Sequence, residues 1–121
     1  VVTYGVLLKN VLEAESLLAQ QGIDVSVLRL TSLAPLPVDA VLAEIGPNMP
    51  VFVIEETAAG AGIHEALAWR IHEKLPHCAV YGKDLGPEYI THGSLKDLYR
   101  RYGLDGQSIC DYVQEVLSVE G

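Results

Sequence analysis

The chain has 121 residues, half of them hydrophobic, and carries 8 basic against 16 acidic side chains for a net charge of −8. That length and apolar content suit one domain with one core. The charge excludes a nucleic-acid or anionic-membrane binder, because both depend on clustered Lys and Arg and the 8 here are scattered along the chain.

No apolar run approaches the roughly 20 residues of a membrane helix, and the first residues lack the charged start and cleavage site of a secretory signal. The expected location is cytoplasmic. Cys78 and Cys110 are isolated, with no CxxC pairing, and read as reduced, buried thiols. Met49 is the only methionine, so the chain reads as trimmed or as a fragment.

In chain order, residues 1–8 are apolar enough for a strand. Val11, Leu12, Ala14, Leu17 and Leu18 then recur at helical spacing until Gly22 stops the pattern. Residues 25–30 form a second strand. Residues 33–37, with Pro35 and Pro37, make a rigid connection, and Pro37 suits the first turn of a helix over 38–45. Gly46, Pro47 and Asn48 break that helix. The third strand, 51–55, opens on an unbroken apolar run over 51–54, as expected of a parallel strand covered on both faces. Ile63, Leu67, Ile71 and Leu75 then form one apolar stripe of a helix ended by Pro76. Residues 78–81 are a short fourth strand, and 85–90 are a turn or an edge strand, since Pro87 cannot donate to a ladder. Ser94 can cap a helix over 95–102 that Gly103 ends, and Asp105 or Ser108 can cap a last helix over 109–118. The expected fold is α/β, a three-layer α/β/α arrangement with a mostly parallel sheet of about five strands. It is a single domain over 1–121, without internal repeats or low-complexity tracts.

The candidate site lies where the third strand ends. Glu55 and Glu56 sit at its carboxyl end, the edge at which open α/β sheets place ligands and interfaces. Adjacent residues of an extended chain point to opposite faces, so the two acids cannot act as one acid/base pair. One is expected to be solvated and the other to cap or pair locally, or to serve an interface. Gly60, Ala61 and Gly62 could present backbone N–H groups to an anion at the start of the following helix. They could equally be small so that another backbone approaches. The loop is neither GxGxxG nor a P-loop, having no Lys followed by Ser or Thr. His64, His72, His77 and His92 form no HxH, HExxH or Cys/His cluster, so no metal ligands are expected. Trp69, Tyr99, Tyr102 and Tyr112 fall in helical segments, where aromatics serve as core or interface anchors.

Three blocks carry a family resemblance: Thr3 to Leu36, with the Thr3-Tyr4-Gly5 start and Pro35-Leu36; Val51 to Gly62, with Val51-Phe52-Val53-Ile54-Glu55-Glu56; and Ile90 to Ile109, with His92, Gly93, Leu98, Tyr102, Gly103, Leu104 and Asp105. Together they resemble the C-terminal domain of transketolase-like thiamine diphosphate enzymes, the last block most like the 1-deoxy-D-xylulose-5-phosphate synthase branch. The resemblance implies a structural, dimer-stabilising module with no catalytic residues of its own. It implies thiamine diphosphate and magnesium for the parent enzyme, none of it held by these residues. The partners it implies are other domains or subunits of such an enzyme and a second copy of the chain.

Two further classes remain open on the residues alone. A small-anion or nucleotide-binding regulatory domain would use Gly60, Ala61 and Gly62. A self-contained enzyme would have only Glu55, His64 and His92 as acid/base groups.

Overall fold

The computed structural model describes residues 1–31, 33–46, 49–56, 62–84 and 103–120. Its elements are β1 (Val2–Tyr4), a 3-10 turn (Gly5–Leu7), α1 (Leu8–Gln20), β2 (Leu28–Leu30), α2 (Val38–Glu44), β3 (Val51–Ile54), α3 (His64–Lys74), β4 (Val80–Lys83) and α4 (Gly106–Glu120). The described strands form one four-stranded sheet in the order β2-β1-β3-β4, every pair parallel. About five strands were expected; the remaining candidate, 85–90, lies outside the described residues, as does the helix expected over 95–102.

The unbroken apolar run of β3 is explained by its two coverings. Phe52 and Ile54 join a core with Leu7, Val11, Ala14, Leu18, Leu104, Ile109 and Val113, beneath α1 and α4. Val51 and Val53 point the other way and join Val2, Leu30, Val38, Val41, Leu67 and Ile71, beneath α2 and α3. The period of two along the strand thus divides four apolar residues between two layers. Leu67 and Ile71 of the expected α3 stripe are fully buried, and Ile63 and Leu75 pack against the same core. Each such side chain contributes about 1.5–3 kcal/mol by leaving water.

The second strand is shorter than expected, Leu28–Leu30 against 25–30, and three other boundaries differ from the sequence reading for local reasons. The first strand stops at Tyr4, because Gly5 takes φ +67 and turns the chain into the 3-10 segment that leads to α1. The fourth strand runs Val80–Lys83, where 78–81 was expected. The Cys78 amide bonds to Leu75 O at 3.0 Å and the Cys78 carbonyl accepts from His72 Nε2 at 2.7 Å, which hold the entry as a turn. The last helix begins at Gly106, with the Ser108 amide donating to the Asp105 carboxylate at 3.4 Å.

Cys78 and Cys110 are free, buried and in different core layers. Burial pushes both thiols above their ordinary range, Asp111 adding to the effect at Cys110. No helix among the described residues is long and apolar enough to cross a membrane.

Candidate functional site

Parallel pairing of β1 and β3 aligns Thr3 with Ile54, so the next residues along, Tyr4 and Glu55, leave the sheet side by side at its carboxyl edge. The ladder runs one step further on the other side, the Glu55 amide donating to Lys83 O at 2.9 Å. The extended backbone sends Glu55 inward, to 2% exposure, and leaves Glu56 half-buried. The two acids thus differ in burial, Glu55 inside and Glu56 nearer the surface.

Glu55 does not face solvent. Its Oε1 accepts from the Tyr4 hydroxyl at 2.9 Å and from the Ile63 amide at 2.6 Å, and its Oε2 accepts from the His64 amide at 3.2 Å. Ile63 stands at the cap position of α3 and has no side chain able to bond the first turn. The distant carboxylate supplies what a local Ser or Asp would. Its charge also meets the positive end of the helix, worth about 0.3–1 kcal/mol at the surface and up to ~2 when partly buried. Of the roles weighed for these acids, capping is the one seen at Glu55, across eight residues rather than locally.

At Gly62 the missing side chain leaves room for the Glu55 carboxylate. A Cβ there would lie 2.6 Å from Glu55 Oε2 and closer still to Oε1. Gly82 of β4 plays the same part for His64, whose ring would be 2.6 Å from an added Cβ at its Cγ. The ring's Nε2 faces Val80 O at 3.4 Å. Glu55 and His64 are thus neighbours through the His64 backbone, and the imidazole is turned to β4. Gly60, Ala61 and His92 lie outside the described residues.

Tyr4 is the residue that motif reading missed. It is 51 positions from Glu55, and only the pairing of β1 with β3 brings them together. Burial, then the hydrogen bond and charge of Glu55, push the Tyr4 phenol well above its ordinary range, so it remains a donor to the carboxylate. The Tyr112 phenol is also raised, first by burial and then by Glu115; its hydroxyl donates to Gly82 O at 3.3 Å and its ring lies 4.9 Å from Lys83 Nζ.

The edge also exposes apolar side chains. Val6 follows the end of β1 and Leu33 that of β2, its neighbour, with 66% and 39% exposure. Trp69, on the outer side of α3, is 71% exposed. An apolar cleft of about 160 Å³, bordered by Val1, Val25, Val51, Phe52 and Leu117, opens at the opposite, amino edge of the sheet. It therefore shares no residue with the Glu55 site. Among the described residues no three His, Cys, Asp or Glu side chains gather as metal ligands would.

A parallel sheet covered on both faces, with an acid at its carboxyl edge, defines a doubly wound α/β domain. The family pattern described as "Transketolase, C-terminal domain" matches residues 1–109, and the chain belongs to that family. Its sequence is similar to the 1-deoxy-D-xylulose-5-phosphate synthase of Geobacillus sp. (strain WCH70), 29% identical over 118 residues, covering 97% of this chain and 19% of that protein. The synthase of Chlorobium phaeovibrioides (strain DSM 265 / 1930) is 27% identical over 114 residues, covering 94% of this chain and 18% of its own length. Among solved structures, a split gene transketolase in an inactive beta4 tetramer superposes with a TM-score of 0.78 at 25% identity, covering 97% of this chain and 37% of that one. The chain spans about a fifth of the curated relatives it matches.

Proposed function

We propose that residues 1–121 are a single structural and dimer-stabilising domain of a transketolase-like thiamine diphosphate enzyme, inactive alone. The parent carries out ketol or acyl transfer, and 1-deoxy-D-xylulose-5-phosphate synthesis is the specific reaction favoured. The observation that carries this reading is the family match over 1–109, in a chain that spans only about a fifth of its synthase relatives. The carboxyl edge, with Glu55, Glu56, the 60–62 loop and the exposed Val6 and Leu33, is the surface that meets other domains, other subunits or a second copy. The protein works in the cytoplasm.

Thiamine diphosphate does not fit the described site. A diphosphate needs free donors and a metal, and two of the donors at the start of α3, the Ile63 and His64 amides, already bond Glu55. The same contacts bear on the regulatory reading, because an anion at the start of α3 would have to compete with the Glu55 carboxylate for the Ile63 and His64 amides. In this account thiamine diphosphate and magnesium are held elsewhere in the parent enzyme. Calorimetric titration of the 121-residue chain with thiamine diphosphate and magnesium is expected to give no binding heat, and the chain no turnover. Micromolar binding would overturn the assignment.

A further inference from the structure

Thr3 and Glu55 are the buried polar side chains among the described residues, and Thr3 has a simple partner, donating to Ile54 O at 2.9 Å. Glu55 is different. A carboxylate withdrawn from water is costly unless donors replace the lost hydration. Here the donors come from two separate elements: Tyr4 at the end of β1, and the Ile63 and His64 amides at the start of α3. Glu55 itself directly follows β3, and Gly62 leaves the space that the carboxylate occupies. A Ser or Asp at position 63 could cap α3 alone, but it would tie the helix to nothing else.

We propose that Glu55 is a positioning residue: its carboxylate ties the start of α3 and the end of β1 to the end of β3, and its negative charge, rather than its bulk, holds the carboxyl edge in this arrangement. The tie goes beyond the assignment to a parent enzyme and holds whatever partner the edge meets. Tyr4 acts through it, since its hydroxyl is the link to β1. Because the connection between β3 and α3 leaves at Glu55 and returns at Ile63, both of its ends are held by one side chain.

Amide hydrogen exchange on the 121-residue chain separates this role from general stability. Glu55→Gln keeps the shape and removes the charge; the Ile63 and His64 amides are expected to exchange roughly tenfold faster, with Val53 in the middle of β3 unchanged. Tyr4→Phe should produce a smaller acceleration at the same two amides. In Glu55→Ala, sodium formate is expected to restore their protection where sodium chloride at equal ionic strength does not. Unchanged rates in Glu55→Gln would overturn the proposal, as would acceleration shared equally by Val53, or formate and chloride acting alike. Should Glu55→Ala not fold, Glu55→Gln and Tyr4→Phe decide the question.

Discussion

Gly62→Ala is expected to lower the free energy of unfolding by about 2–4 kcal/mol, although it adds a single methyl group. The added Cβ falls within the space of the Glu55 carboxyl group, 2.5 Å from its Cδ, so the buried side chain must shift. As it shifts, its bonds from the Ile63 and His64 amides and the Tyr4 hydroxyl are disturbed together. Domains of this size are stable by only about 5–15 kcal/mol, so the loss is a large fraction of the total. Gly46→Ala is the control: no atom lies within 4 Å of a Cβ there, and a change within about 0.5 kcal/mol is expected. Urea unfolding of the two variants makes the comparison. Equal stability would mean that the carboxylate is not packed as described.

Phe52→Ala should cost about 3–5 kcal/mol in the same measurement. Phe52 is 3% exposed in the centre of the sheet, stacked on Tyr81 at 5.3 Å between ring centroids and edge-on to Tyr112 at 5.9 Å. Its removal leaves a cavity beneath α4 and ends two aromatic contacts worth about 0.5–1.5 kcal/mol each. Phe52→Leu refills much of the volume and should cost less than half as much. A cost below about 1 kcal/mol for Phe52→Ala would show that the layer under α1 and α4 is loosely packed.

The elements most legible in the sequence are those whose pattern is set by burial. The apolar run of β3 and the Leu67/Ile71 stripe of α3 could be read directly, because each has one answer to which face meets the core. The first apolar run was less informative. Leu7 is fully buried, but from the 3-10 turn rather than from a strand; hydrophobicity reports burial, and Gly5 alone signals the turn. Glu55 was located by its place at a strand end, yet its partners were not, since the cap of α3 comes from eight residues upstream and the hydroxyl from 51. Neither spacing belongs to a local capping rule. The register of β1 against β3 would have supplied Tyr4, and strand order is what a single sequence specifies least.

The claim that the carboxyl edge is an association surface is tested most directly by light scattering over a concentration series. Wild-type chain should increase in mass with concentration, because Val6 and Leu33, just past the ends of β1 and β2, leave apolar area uncovered. Val6→Asp should weaken association at least tenfold, about 1.4 kcal/mol, with urea stability unchanged, whereas Trp69→Ser on the outer side of α3 should not. A strictly monomeric mass at high concentration would contradict the account, and so would association lost in Trp69→Ser but kept in Val6→Asp.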